Sequence, residues 1–141
     1  MSKVEGPKSG NAITEPQQAM RPGTVLALVD DLIFQAKLAE TARQVGVELK
    51  TVASGEALVA EAGAAQAGLV IVDLNARGGA LEALEKLRET GNSAPVVAFL
   101  SHVQMELAES ARAAGCTEVL PRSKFTRELV TILSRAKSEK E

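Results

Sequence analysis

The chain has 141 residues, of which 45% are hydrophobic and 24% are charged, and its formal net charge at pH 7 is −2. These values are typical of one soluble globular domain with a core of its own. The small negative charge gives no basis for electrostatic binding to nucleic acid or to an anionic membrane, and three Phe without Tyr or Trp argue against base stacking. The N-terminus lacks an apolar signal core and no apolar run approaches the ~20 residues of a membrane span, so we expect a cytoplasmic protein.

The first 23 residues differ in composition from the rest of the chain. They include three Pro, three Gly and many polar residues, with no apolar periodicity. Such a segment cannot bury enough apolar surface to fold by itself. We therefore predict a flexible tail over residues 1–23 and a folded domain over residues 24–138.

From residue 24 onward, short apolar runs alternate with stretches of helical spacing. The first such stretch repeats apolar residues at Phe34, Leu38, Ala42 and Val45, and Gly46 is suited to end that helix. The predicted strands lie at 25–29, 47–53, 69–73, 95–100 and 117–120. The predicted helices lie at 32–45, 56–66, a stretch including 81–87, 103–113, and a stretch from 129 to 137.

Five β–α units in this order predict an α/β fold with a parallel sheet covered by helices on both faces. The second strand shows partial alternation, which places it near an edge, and Ser54 is suited to cap the helix that follows it. Ligands of such sheets bind where the carboxyl ends of the strands meet.

Polar side chains follow four of the five predicted strands. They are Asp30 and Asp31 after the first, Asp73 at the end of the third, Ser101 after the fourth, and Arg122 and Lys124 after the fifth. Two ionised neighbours such as Asp30 and Asp31 repel by about 4 kcal/mol at an effective dielectric of 20, so we expect a cation beside them. Carboxylate oxygens suit Mg²⁺, and a hydroxyl with a cation opposite suits a phosphoryl group.

The pattern resembles the receiver domain of bacterial two-component response regulators, the CheY-like family. The resemblance depends on VDD at 29–31, IVDLN at 71–75 and AFLS at 98–101, and it covers about residues 24–137. It implies a flavodoxin-like, doubly wound sheet of five parallel strands in the order 2-1-3-4-5, with five helices.

The resemblance also assigns roles to the polar residues. Asp73 matches the aspartate that accepts a phosphoryl group from a sensor histidine kinase or phosphotransfer protein. Asp30, Asp31 and Asp73 match the carboxylates that hold Mg²⁺, and Asn75 would add its backbone carbonyl to the metal. Ser101 matches the hydroxyl residue that contacts the phosphoryl group. The implied protein is a phosphoprotein of phosphorelay signal transduction and not an enzyme.

The segment after the fifth strand departs from the family pattern. The family has Lys followed by Pro, usually in a cis peptide, whereas residues 119–125 read VLPRSKF. Arg122 stands at the usual offset and Lys124 follows two residues later, so either could contact the phosphoryl group. Val119 replaces the usual aromatic switch residue. The loop after the third strand, LNARGG, lacks the family's Met-Pro pair, and we interpret its residues 77–79 as a flexible turn.

Each of these residues also has a purely structural interpretation. Asp31 could cap the first helix, and Asp73 with Asn75 could form an Asx turn. Ser101 and Gln104 have the S-x-x-Q spacing of a capping box at the start of the fourth helix.

Two functions therefore remain open. The first is a stand-alone receiver that signals to a downstream protein through the face of helix 4, strand 5 and helix 5, about residues 103–137. The second is a phosphorylation-independent pseudo-receiver that acts as a protein-interaction module. A cobalamin or nucleotide binder is a distant third, since the sequence contains none of the motifs D-x-H-x-x-G, G-x-G-x-x-G and G-x-x-x-x-G-K-[ST]. No nucleic-acid or membrane partner is expected.

Overall fold

The computed structural model describes residues 24–64, 67–101 and 104–137. The strands are β1 (Thr24–Leu28), β2 (Glu48–Val52), β3 (Leu69–Asp73), β4 (Val96–Leu100) and β5 (Glu118–Pro121). The helices are α1 (Leu32–Val45), α2 (Gly55–Ala64), α3 (Ala80–Glu89), α4 (Met105–Ala113), α5 (Arg122–Arg127) and α6 (Leu129–Ser134). The predicted tail at 1–23 lies outside the described residues.

All five strands are parallel, and their order in the sheet is β2-β1-β3-β4-β5. This confirms the predicted flavodoxin-like sheet, with the second strand at an edge. Val72 of the central strand pairs with Leu28 of β1 and with Ala98 of β4. The carboxyl ends of β1, β3 and β4 therefore lie side by side, as a site at that edge requires.

Helices cover both faces of the sheet, which explains why β3 and β4 are buried along their whole length. The face under α2, α3 and α4 is packed with aliphatic side chains. The opposite face, under α1, α5 and α6, contains all three phenylalanines of the chain. The ring centroids of Phe99 and Phe125 are 4.4 Å apart, and the ring of Phe34 lies 5.2 Å from that of Phe99.

The ends of the first two helices follow the predicted signals. Asp31 caps α1, because its Oδ1 accepts hydrogen bonds from the backbone N–H groups of Ile33 and Phe34. Gly46 ends the same helix with a φ of 92°, a conformation that favours glycine. Ser54 Oγ accepts from Ala57 N at 3.1 Å, as expected of a helix cap.

The C-terminal helical region differs from the prediction of one last helix beginning near residue 129. Among the described residues there are six helices, because α5 begins directly after β5 and is separated from α6 at Glu128. Phe125 lies within α5 and is fully buried in the aromatic cluster. Its burial anchors a helical turn directly after β5. In α6, Val130 is 56% exposed, whereas Leu129, Ile132 and Leu133 are buried.

The part of the chain that the structure describes contains no candidate for a membrane-spanning helix. No helix there combines the length and the apolar character that a bilayer span requires.

The single cysteine, Cys116, is partly buried, and burial raises the pKa of its thiol to about 11.

Candidate functional site

Asp73 ends the central strand and is the one buried polar residue among those described, with 4% of its surface exposed. Its Oδ1 accepts a hydrogen bond from Asn75 N at 2.9 Å, which is the predicted Asx turn. Its Oδ2 accepts no hydrogen bond from any described residue. Burial raises the pKa of the Asp73 carboxyl, and so do the charges of Asp30 and Asp31.

Two groups act in the opposite direction on that carboxyl. The hydrogen bond from Asn75 N and the positive charge of Arg122 both lower the pKa of Asp73. The side chains that follow β1, β3 and β5 therefore influence one another electrostatically. Folding has gathered them at one edge of the sheet.

Asp30 connects the end of β1 to the loop after β3. Its Oδ2 accepts a hydrogen bond from the backbone N–H of Arg77 at 3.0 Å. This bond joins residues 47 positions apart in the sequence. It fixes the course of the loop that begins at Asp73.

Both oxygens of Asp31 have partners. Oδ1 caps α1, and Oδ2 lies 3.3 Å from Nη2 of Arg122. The hydrogen bond from Phe34 N is the largest influence that lowers the pKa of Asp31, and Arg122 lowers it further. The predicted helix cap is confirmed.

Arg122 is held by aromatic rings as well as by Asp31. Its guanidinium carbon lies 4.5 Å from the ring centroid of Phe34 and 5.7 Å from that of Phe99. Lys124 is exposed and makes no hydrogen bond or ion pair with the site within the described part of the chain. Of the two cations that the sequence left open, the structure brings Arg122 to the acidic residues and leaves Lys124 away from them.

Asn75 joins the loop after β3 to the segment between β4 and α4. Its Oδ1 accepts from Ser101 N at 2.7 Å, and its Nδ2 donates to Gln104 Oε1 at 3.1 Å. The predicted capping box is wrong, because α4 begins at Met105 and its N-cap, Gln104, makes no side-chain cap bond. The Gln104 amide is bound to Asn75 and does not turn back to Ser101.

The segment interpreted as a flexible turn at 77–79 is instead tightly packed. The carbonyl of Gly78 accepts from Gly55 N at 2.7 Å. A Cβ on Gly78 would lie 2.6 Å from the Cα of Ser54, and one on Gly55 would lie 2.7 Å from the oxygen of Gly79. The predicted turn is confirmed, but the close packing of its backbone argues against the predicted flexibility. Glycine is also common where two backbones approach closely. Gly78 and Gly79 do so here, against the backbone of Ser54 and Gly55.

The carboxylates suit Mg²⁺ by chemistry, since Asp30, Asp31 and Asp73 supply the hard oxygen donors that this ion prefers. No group of three or more His, Cys, Asp or Glu side chains close enough to hold a metal ion occurs in residues 24–64, 67–101 and 104–137. Asp31 Oδ2 is paired with Arg122. The magnesium site stays a prediction.

A groove of about 180 Å³ lies between α4 and β5, on the face predicted to contact a downstream protein. Its walls include Leu100, Met105, Ala108 and Val119. Met105 is 67% exposed, which is unusual for a large apolar side chain.

Solved structures of receiver domains share this architecture. The chemotaxis response regulator CheY4 of Vibrio cholerae is 24% identical, with 82% of this chain and 98% of that one covered at a TM-score of 0.70. A CheY-like receiver domain protein of Methanospirillum hungatei is 16% identical, covering 77% and 87% at 0.69. The signal receiver domain of a Luxo repressor protein of Vibrio parahaemolyticus is 17% identical, covering 84% and 95% at 0.68.

No protein-family model and no curated protein matches the sequence. The likeness is therefore one of fold, at identities of 24% and below among the three structures named above. It confirms the CheY-like architecture that the motifs predicted.

Proposed function

We propose that this chain is a response-regulator receiver that accepts a phosphoryl group on Asp73 from a histidine kinase or phosphotransfer protein. The observation that carries the proposal is the buried carboxylate of Asp73 at the end of the central strand, with Oδ2 free of hydrogen bonds from the described residues. Two further carboxylates and one arginine act on it electrostatically. The receiver-like fold supports the same role.

In the proposed reaction an ionised Asp73 oxygen attacks the phosphorus of a phosphohistidine. The new O–P bond forms as the P–N bond breaks, and the electron pair of that bond stays on the imidazole nitrogen. The guanidinium of Arg122 and the hydroxyl of Ser101 are the candidate groups to receive the transferred oxygens. Mg²⁺, held by Asp30, Asp31, Asp73 and the carbonyl of Asn75, would offset the negative charge on those oxygens.

The output of this receiver would be contact with another protein, through the surface of α4, β5 and α5. The groove beside Val119 and the exposed Met105 support this choice, since an exposed apolar patch favours protein contact. The protein acts in this proposal as a signalling protein in the cytoplasm and catalyses no reaction on a separate substrate.

The test is phosphorylation by acetyl phosphate with Mg²⁺, followed by intact-mass and peptide-mass analysis. We expect the mass of one phosphoryl group to appear on the peptide containing Asp73. Asp73→Asn is the control, because it keeps the size of the side chain and removes the nucleophile. A chain that gains no phosphoryl group, or gains it equally in Asp73→Asn, would contradict the proposal.

The second candidate is a phosphorylation-independent pseudo-receiver, and the ion pair of Arg122 with Asp31 favours it. That pair neutralises part of the acidic pocket without a metal. Under this alternative, Asp73→Asn leaves the cellular function unchanged. Loss of function in Asp73→Asn cells that contain normal amounts of the folded protein would rule it out.

A further inference from the structure

The guanidinium of Arg122 is held in place by two independent kinds of contact. One is the pairing of Nη2 with Asp31 Oδ2 at 3.3 Å. The other is its position 4.5 Å from the Phe34 ring centroid and 5.7 Å from the Phe99 ring centroid. Both rings belong to the aromatic cluster beneath the carboxyl edge of the sheet, so the platform under the guanidinium is part of the core.

Both oxygens of Asp31 are engaged in these contacts, and a guanidinium and a divalent cation on the same oxygen would repel each other. Oδ1 is bound to the backbone of α1, and Oδ2 faces Arg122. The proposed Mg²⁺ site uses both residues of the acidic pair, so a divalent ion there needs one oxygen of Asp31 as well as one of Asp30. The oxygen that can be released without uncapping α1 is Oδ2, and its release requires Arg122 to withdraw.

We propose that Arg122 is a resident cation of the acidic pocket that competes with divalent metal for Asp31, so that metal binding displaces its guanidinium from the Phe34–Phe99 platform. This inference rests on the proposed Mg²⁺ site. The planar guanidinium suits both partners at once, because it stacks on aromatic rings and pairs with a carboxylate, whereas a lysine ammonium does not offer a flat face.

The ion pair is weak enough to be displaced. The side chains of Arg122 and Asp31 are 32% and 42% exposed, and ion pairs of that exposure are screened by solvent and salt. Removing the guanidinium should therefore tighten metal binding by a small factor, about threefold, because the metal no longer competes for Oδ2.

The test is calorimetric titration of Mg²⁺ into the wild type, Arg122→Gln and Arg127→Gln. Arg127 lies exposed on the same short helix, and its side chain makes no hydrogen bond or ion pair with the described residues, so its variant removes one positive charge without touching the pocket. We expect Arg122→Gln to bind Mg²⁺ about three times more tightly than Arg127→Gln. Arg122→Lys, which keeps the charge and loses the flat stacking group, should fall between wild type and Arg122→Gln.

A second readout does not depend on any variant folding. The NMR signal of the Arg122 Nε–H group in the wild type should shift as Mg²⁺ is added, because the guanidinium leaves the ring currents of Phe34 and Phe99. Equal Mg²⁺ affinity in Arg122→Gln and Arg127→Gln, or no binding in either at millimolar Mg²⁺, would overturn the inference, as would an unmoved Arg122 signal at saturation.

These outcomes are separable from those of the proposed function. A phosphoryl group on Asp73 together with equal metal affinities would leave the receiver proposal standing and remove the competition. Tighter metal binding by Arg122→Gln without phosphorylation of Asp73 would support the competition and contradict the receiver proposal.

Discussion

Two loops meet at the carboxyl edge of the sheet, and they are held in different ways. The loop after β3 is fixed by backbone contacts: Gly55 N donates to the carbonyl of Gly78, and Arg77 N donates to Asp30. The segment after β5 is fixed at the site by one side chain, Arg122, which stacks on phenylalanine rings and pairs with Asp31.

The loop after β3 is therefore held in one arrangement, whereas the Arg122–Asp31 contact after β5 can be replaced by another cation. A backbone clamp with no space for a Cβ holds the loop that follows Asp73. A partly exposed side-chain pair can open at small cost and admit a different cation. The acidic pocket is thus closely packed on the β3 side, and its side-chain pair on the β5 side can exchange.

The largest expected effect comes from breaking the backbone clamp with Gly78→Ala. The new Cβ would lie 2.6 Å from the Cα of Ser54, so the loop or the start of α2 must shift. We expect a loss of about 3 kcal/mol in the free energy of unfolding, measured by urea denaturation.

Gly63→Ala is the matched control for that substitution. Gly63 lies within α2, and a Cβ there meets no atom within 4 Å. It should stabilise the protein by about 0.5–1 kcal/mol through helix propensity. Similar effects of the two substitutions would show that the clamp is not tight.

Saturation with Mg²⁺ probes the adjustable side. At ten times its dissociation constant, a bound ion stabilises the folded state by about 1.4 kcal/mol, visible as a rise in Tm. Asp31→Asn should abolish this gain while it keeps α1 capped, because Asn is as good an N-cap as Asp. A Tm that is insensitive to Mg²⁺ in the wild type would exclude a metal site under those conditions.

Asn75→Ala removes the link from the β3 loop to the start of α4. It deletes the acceptor of Ser101 N and the donor to Gln104, and we expect a loss of about 1 kcal/mol with faster hydrogen exchange at the Ser101 amide. Gln104→Ala removes only the second bond and should leave the Ser101 amide protected. Equal exchange of that amide in the two variants would argue against the link.

The smallest expected effect is a stability gain from Asp73→Asn. Because the pKa of Asp73 is raised by burial, the folded state favours the protonated carboxyl, and wild-type stability falls as pH rises from below the unfolded pKa through the folded pKa. The variant carries no charge at this position, so it should have a slightly higher Tm at pH 7. The gain should vanish below about pH 3.9, where the carboxyl is neutral in both states. A gain that is constant across pH would point to another cause.

Local sequence signals predicted most of the fold and which polar residues lie at the carboxyl edge of the sheet. Continuous apolar runs marked β3 and β4, helical spacing marked α1, and Asp31, Gly46 and Ser54 marked helix ends that the structure confirms. The carboxyl-edge rule then selected Asp73 and its acidic neighbours. The early start of α5 could also have been found, because Phe125 extends the apolar spacing that continues at Leu129 and Ile132.

The features that were missed depend on contacts between residues far apart in the chain. Asn75 and Ser101 are 26 positions apart, and Arg122 and Asp31 are 91 positions apart. The S-x-x-Q spacing at Ser101 gave no sign that Gln104 would be bound by Asn75 instead. Likewise, nothing local to VLPRSKF indicated that two phenylalanine rings would lie beneath Arg122.

The central claim is that the side chains at the carboxyl edge form one pocket that takes a phosphoryl group. NMR titration with Mg²⁺ and beryllofluoride, a mimic of the phosphoryl group, tests it most directly. We predict shifts of the amide signals of Asn75, Arg77 and Ser101, which donate hydrogen bonds to Asp73, Asp30 and Asn75 respectively. Changes at the opposite end of the sheet, for example at Leu69, should be small. Amide signals of these three residues that stay unmoved at millimolar concentrations of both additives would contradict the account.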